Sequence, residues 1–162
     1  MIAEVTKKMI DYSKGNLHDI NHFIKVHSYA RLIGQCEKID DRTQEILEVA
    51  AIVHDIACPL CREKYGNTNG KYQEKEGEIL TAEFLKDTGC PEEYIDRIIY
   101  LVGHHHTFSG VEGLDYQILL EADYLVNADE SSYSRENIYN TLEKVFKTPT
   151  GIELLKSMYG LK

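Results

Sequence analysis

The stretch Ile46-Leu-Glu-Val-Ala-Ala-Ile-Val-His-Asp-Ile56 is the most continuously apolar segment of the chain, and it ends beside two ionisable residues, His54 and Asp55. The apolar spacing is helical nearly everywhere in the sequence. No segment shows the sustained alternation and β-branched enrichment that a strand requires. We therefore predict an all-α fold in which His54 and Asp55 lie in or beside the core.

The predicted architecture is a single compact bundle of about six to eight helices. Candidate helices cover about residues 2–12, 18–37, 42–56, 72–88, 92–105, 115–129, 134–146 and 150–159. Asp41 and Ser134 are predicted to cap their helices, Pro91 to lie in a first turn, and Gly160 to end the last helix. We expect one domain over residues 1–162, with the helices of residues 134–160 packing on the preceding ones.

The composition excludes several classes of protein. The chain has 162 residues with 18 basic and 27 acidic side chains, for a net charge of −9. Such a surface repels polyanions, so binding to a nucleic-acid polymer is not expected. No apolar run approaches the roughly 20 residues of a membrane helix, and the first residues lack the features of a signal peptide. We expect a cytoplasmic protein; its oligomeric state stays open.

The stretch Cys58-Pro-Leu-Cys61 contains a C-x-x-C pair and begins a segment rich in turn residues. No second C-x-x-C or H-x-x-x-H pair completes a tetrahedral zinc site, so incidental reduced thiols are favoured over a metal or redox role. The segment from Cys58 to Lys71 is rich in turn residues and has a local charge of +2 from Arg62, Lys64, Lys71 and Glu63. It is either a solvated connection or a mobile basic flap over an anionic ligand.

Ionisable residues occupy three helix faces that the apolar pattern assigns to the core. Asp123 falls within the apolar stripe of residues 115–129, His22 shares a stripe with Val26, and His54 and Asp55 end the apolar stretch. Isolated buried ionisable groups are costly unless they pair or bind a metal. Two nitrogens and two carboxylate oxygens suit Mn²⁺, Fe²⁺, Zn²⁺ or Mg²⁺, and helix bundles build metal sites in this way.

The order His22, then His54-Asp55 after 32 residues, then Asp123 after a further 68 resembles the H…HD…D signature of the HD-domain superfamily of metal-dependent phosphohydrolases. The resemblance covers about residues 17–130. It implies that His22, His54, Asp55 and Asp123 are metal ligands, and that the fold is all-helical.

A second resemblance concerns His104-His-His106 and Thr107. The His-Thr pair is similar to a stretch found in the branch of the superfamily that hydrolyses dinucleoside polyphosphates at a dinuclear iron centre. It implies that His105 or His106 is a second-metal ligand, a phosphate-binding group or a general acid; exposed imidazoles at a helix end are the alternative. No histidine lies between residues 56 and 103, so a second ion would have to recruit Glu74, Glu76 or water. One tight divalent ion is favoured, and a second is possible.

The resulting hypothesis is a phosphohydrolase that acts on a small nucleotide or related phosphate ester or anhydride. A divalent ion (Mn, Fe, Zn, Mg or Co) activates water, Asp55 orients it, and His105 or His106 protonates the leaving group. Candidate phosphate-binding residues are Lys25, Arg62, Lys64 and Lys71, with Lys25 also a candidate catalytic group or a plain surface residue. The alternatives are a metal-containing nucleotide-binding or regulatory module without turnover, and a di-iron oxygenase on the same scaffold.

Overall fold

The structure is a computed structural model that describes all residues from Met1 to Lys162. It consists of nine helices and no strands, which confirms the predicted all-α class. None of these helices is long and apolar enough to cross a membrane. The helices are α1 (Ile2–Tyr12), α2 (Leu17–Cys36), α3 (Asp41–Val53), α4 (Cys58–Tyr65), α5 (Gly70–Leu85), α6 (Glu92–Val102), α7 (Leu114–Glu130), α8 (Arg135–Lys144) and α9 (Pro149–Tyr159).

The centre of the bundle is formed by α2, α3 and α7, with α2 packed along both of the others. Every residue of α3 from Ile46 to Val53 is buried, and α7 is buried over most of its length. A helix that is apolar on all sides is stable only when other helices surround it. Accordingly, α1 and α6 also pack on α3, α5 packs on α6, and α9 packs on α7 and α2.

The prediction that Cys58–Lys71 is a loop is wrong for its first half, which forms α4. Pro59 lies in the first helical turn, where its missing N–H costs no hydrogen bond. Cys58 and Cys61 lie one turn apart and are both buried, so the helix has an inner face. Gly66 ends the helix with a left-handed backbone (φ +71°) that glycine adopts without strain. Only residues 66–69 remain as a connection to α5.

Capping residues follow the expected chemistry with two corrections, the first being that Pro91 is the N-cap of α6 and not part of its first turn. Ser134 accepts a hydrogen bond from the backbone of Asn137, and Gly160 ends α9 in a left-handed conformation, as predicted. The cap of α3 is Asp40 rather than Asp41, because the Asp40 carboxylate accepts from the backbone N–H of Thr43. Helices α3 and α6 end before His54 and His104, so these histidines lie in the turns that follow.

Candidate metal centre

Three neighbouring helices bring four predicted ligands together. His22 lies in α2, Asp123 lies in α7, and His54 and Asp55 directly follow α3. Because α2 packs against both α3 and α7, these side chains converge between the three helices. His22, His54 and Asp123 are buried, and Asp55 is half-buried.

The spacing of the four ligand atoms fits one divalent ion. Nε2 of His22 lies 3.2 Å from Nε2 of His54, 3.2 Å from Oδ1 of Asp123 and 3.2 Å from Oδ2 of Asp55. Nε2 of His54 lies 3.4 Å from the Asp123 oxygen and 3.5 Å from the Asp55 oxygen. Ligands about 2.1 Å from a shared ion are about 3.0–3.4 Å apart in octahedral or tetrahedral geometry. The residues present therefore could hold a metal ion.

The hydrogen bonds of the two rings leave acceptors facing one another. Nδ1 of His54 lies 2.7 Å from the carbonyl oxygen of Ala51, which can only accept, so Nδ1 carries the proton. Nδ1 of His22 lies 2.8 Å from a carboxylate oxygen of Glu130 and donates to it in the same way. In the neutral rings both Nε2 atoms therefore present lone pairs to each other and to Asp123. Converging acceptors of this kind need a cation or a proton between them.

The charges at this centre favour a cation. Burial alone would raise the pKa values of Asp55 and Asp123, but the adjacent imidazoles outweigh it and hold both pKa values well below their usual range. Burial also opposes protonation of His22, yet its hydrogen bond to Asp123 and the charge of Asp55 raise its pKa to about 9. In the metal-free protein, a proton on His22 therefore supplies the positive charge between the carboxylates of Asp55 and Asp123.

A second group of possible ligands lies on the other side of Asp55. Asp55, His105 and His106 each offer a ligand atom, and these atoms lie within 4.8 Å of one another. Nδ1 of His105 donates to the carbonyl oxygen of Val102 at 2.7 Å, which leaves Nε2 with a lone pair in the neutral ring. This Nε2 is buried, has no hydrogen-bond partner and lies 3.4 Å from Oδ1 of Asp55. The two oxygens of Asp55 thus face the two groups.

The tautomer of His106 follows from its neighbour Gln73. The Gln73 amide nitrogen donates to the carbonyl oxygen of Thr68 at 2.7 Å, so its Oε1 must accept from Nε2 of His106 at 3.1 Å. Nδ1 of His106 is then unprotonated, and burial lowers the pKa of this ring to about 4. The ring packs closely on α5, since a Cβ at Gly70 would lie 2.8 Å from Cβ of His106. Glycine is required at that contact.

Neither glutamate suggested for a second ion turns toward this group. Glu74 accepts hydrogen bonds from the backbone N–H of His106 and the hydroxyl of Thr107. Glu76 accepts from Lys64 and from the hydroxyl of Tyr65, both at 2.6 Å. In each glutamate Oε1 accepts both bonds, and neither residue offers a ligand atom within 4.8 Å of all those of the second group, which consists of Asp55 and two histidines. The alternative interpretation, in which these histidines are exposed imidazoles at a helix end, does not hold, because His105 is 1% exposed and His104 and His106 are half-buried.

A pocket of about 160 Å³ opens onto the centre. Its walls include groups that the sequence interpretation did not identify: Asp19, Gln73, Asn127 and Glu130. Asn127 and Glu130 lie one and two turns after Asp123, on the same face of α7, and Asp19 lies one turn before His22. Helical spacing from His22 and Asp123 was thus the signal that could have identified Asp19, Asn127 and Glu130.

The predicted phosphate-binding residues are dispersed. Arg62 lines the pocket and forms two hydrogen bonds to the carboxylate of Asp19, at 2.7 and 2.8 Å. Lys25 pairs with Glu130 at 2.7 Å and is not part of the pocket wall. Lys64 is bound to Glu76, and Lys71 is exposed at the start of α5. Of the four cations, the structure places only Arg62 at the pocket.

An all-helical bundle with converging His and Asp side chains is typical of proteins that hold a metal ion between their helices. The family model of the HD domain matches residues 19–135, which is most of the chain. The chain therefore belongs to the HD domain family, which is broadly a family of metal-dependent phosphohydrolases. No curated protein and no solved structure matches it.

Proposed function

We propose that the protein hydrolyses a small phosphate ester or anhydride, with a nucleotide as substrate, using a divalent ion held by His22, His54, Asp55 and Asp123. The observation that carries this proposal is the convergence of four ligand atoms, in which Nε2 of His22 and Nε2 of His54 lie 3.2–3.5 Å from each other and from the carboxylate oxygens of Asp55 and Asp123. An ion bound there would supply a Lewis acid that generates hydroxide near neutral pH and neutralises charge on the phosphoryl group.

In this proposal, side chains of the protein orient the attacking water and the phosphoryl group. Asp55 follows α3 directly and faces both ligand groups, so its carboxylate is placed to orient the attacking water. Arg62 supplies a planar fork that matches two phosphoryl oxygens. In the structure Asp19 occupies this fork, and we propose that the phosphoryl group replaces Asp19 when substrate binds.

The histidines have different roles in this proposal. His106 has an unprotonated Nδ1 and a pKa of about 4, so it is neutral at pH 7 and serves as an acceptor or a ligand rather than as a general acid. Burial opposes protonation of His105, but the nearby carboxylate of Asp55 outweighs it and raises the pKa of this ring. When this ring is protonated, the added proton lies on Nε2, beside Asp55, because Nδ1 already donates to Val102.

We propose one tight ion at the first group and weaker binding at the second. The first group has three residues of its own, and Oδ2 of Asp55 lies 3.2 Å and 3.5 Å from its imidazole nitrogens as a fourth ligand atom, whereas the second group shares Asp55 and adds only two imidazoles. The identity of the ion depends on availability, because a His₂Asp₂ set accepts most first-row divalent ions.

The test compares three forms of the protein by elemental analysis and by phosphate release from a panel of nucleotides with Mn²⁺, Mg²⁺, Co²⁺ or Fe²⁺. Asp55→Asn keeps the shape of the side chain but weakens it as a ligand, and Asp96→Asn is a control on the exposed side of α6. We expect about one equivalent of metal and turnover in the wild type and the control, and loss of both in Asp55→Asn. Metal and nucleotide binding without turnover would instead identify a regulatory module, and two irons with dioxygen consumption an oxygenase.

A further inference from the structure

A second cavity, of about 330 Å³, adjoins the pocket of the metal centre. The two cavities share part of their wall, which consists of Thr68, Gln73, His106, Asp123 and Asn127. The remaining wall of the second cavity is apolar and mainly aromatic: Phe108, Leu120, Tyr124 and Tyr133. We name it the aromatic cleft, after Phe108, Tyr124 and Tyr133. A molecule that reaches Asp123 from the centre therefore has an aromatic surface directly beside it.

The loop that carries Phe108 is fixed at the residue before it. The hydroxyl of Thr107 donates to Glu74 at 2.8 Å, and its carbonyl accepts from the hydroxyl of Tyr116 at 2.5 Å. Phe108 nevertheless leaves 54% of its surface exposed instead of packing into the core. A large aromatic ring held in the open by a well-anchored loop is typical of a contact surface.

The opposite wall is fixed as well. The backbone N–H of Tyr133 donates to the carbonyl of Ala128 at 3.0 Å, which turns the chain back along the end of α7. The Tyr133 ring then lies 5.6 Å from the ring of Tyr124 and remains 38% exposed. Tyr124 is buried, and its hydroxyl donates to the side chain of Asn137 at 2.5 Å. These contacts position the rings before any ligand arrives.

The side chains that line the cleft favour binding of a flat, uncharged part of a ligand. Asp123 is its one carboxylate, and no Lys or Arg lines it. A neighbouring cavity of about 250 Å³ shares the three aromatic residues of the cleft and adds the amide of Asn137 and the hydroxyl of Thr141. Aromatic faces bind planar rings by stacking, and amide and hydroxyl groups bind the donors and acceptors at the edge of a heteroaromatic ring.

We infer that the aromatic cleft binds the nucleobase of the substrate while the phosphoryl group lies at the metal centre. This inference rests on the proposed function for the position of the phosphoryl group. Asp123 lines both cavities, so one small molecule with a phosphoryl group at one end and a base at the other can occupy both. Phe108 and Tyr133 are then specificity-determining residues for the organic part of the substrate.

The test uses pairs of substrates that differ only in the base. Rates of phosphate release are measured for the 5′-monophosphates of adenosine, guanosine, cytidine and uridine, each against ribose 5-phosphate, which has the same ester bond without a base. We expect at least one nucleotide to exceed ribose 5-phosphate about tenfold in kcat/KM. Phe108→Ala and Tyr133→Ala should reduce this ratio toward one, because they raise KM for the nucleotides more than KM for ribose 5-phosphate. Tyr139→Ala removes an exposed aromatic ring outside the cleft and should keep the ratio.

Binding of the four nucleosides without phosphate gives a readout that needs no turnover. We expect NMR shifts on titration into wild-type and Tyr139→Ala protein, and much smaller shifts in Phe108→Ala and Tyr133→Ala. Equal hydrolysis of all five esters, or ratios unchanged in the cleft variants, would overturn the inference while leaving the phosphohydrolase proposal intact. If none of the five esters is hydrolysed, the result counts against the proposed function. The nucleoside titration then tests the aromatic cleft by itself, and absence of nucleoside binding would overturn the inference.

Discussion

The carboxylate of Glu130 lies 2.8 Å from Nδ1 of His22 and 2.7 Å from Nζ of Lys25. The bond to His22 fixes the ring so that Nε2 faces the metal centre, while Lys25 helps to keep the carboxylate ionised and lowers its pKa against the effect of burial. Carboxylates that orient a metal-binding histidine typically affect metal affinity about 10–100-fold. Lys25, predicted to bind phosphate, thus contacts the carboxylate that orients His22 and does not line the pocket.

The variant Glu130→Gln should weaken metal binding by about tenfold or more, because an uncharged amide oxygen accepts from His22 more weakly than a carboxylate and makes the imidazole a poorer ligand. Competition with a chelator of known affinity measures this effect directly. Glu136→Gln, an exposed change in the first turn of α8, serves as the control and should bind metal as the wild type does. Unchanged affinity in Glu130→Gln would show that His22 needs no such support.

The sequence indicates the four ligands because each interrupts an apolar helix face, a pattern that is costly without a partner. It does not indicate Glu130 or Asn127, since a polar residue near the end of a helix is ordinary. It also predicted a loop where α4 forms, because Pro59 and the following turn residues resemble a connection. The burial of Cys58 and Cys61 depends on packing with α5 and neighbouring segments, which local composition does not encode.

The metal-free protein should lose stability as the pH rises from about 6.5 to 9. The pKa of His22 increases from 6.5 in the unfolded chain to about 9 in the fold, so the folded state binds the extra proton throughout this window. The resulting stabilisation is complete below pH 6.5 and is lost as the pH passes 9, with a size of a few kcal/mol. Urea unfolding in the presence of EDTA at several pH values measures this. In His22→Gln the free energy of unfolding should depend much less on pH. An unchanged pH dependence in this variant would show that other groups cause it.

Substitutions at the ion pair of Asp19 and Arg62 should change substrate affinity in opposite directions. Arg62→Gln removes the fork for the phosphoryl group and should raise KM by about tenfold. Asp19→Asn removes the carboxylate that competes for this fork and should lower KM. Both residues are near the surface, so thermal unfolding should change little. Lys71→Gln is the control, since Lys71 does not line the pocket; a comparable rise in KM there would support the basic flap that the sequence suggested.

The carboxylate of Glu121 should be important for stability but not for metal binding. It is fully buried and accepts hydrogen bonds from the backbone N–H groups of Lys147 and Thr148, the hydroxyl of Thr148 and the amide of Gln117. These bonds join α7 to the chain between α8 and α9, and Gly151 leaves room for the carboxylate, which a Cβ there would meet at 2.0 Å. Glu121→Ala strands several buried donors and should reduce the free energy of unfolding by about 3 kcal/mol. Glu121→Gln should lose less, because its amide oxygen still accepts. Urea unfolding measures the change in stability, and elemental analysis measures the change in metal content. Loss of metal at unchanged stability would contradict a purely structural role for Glu121.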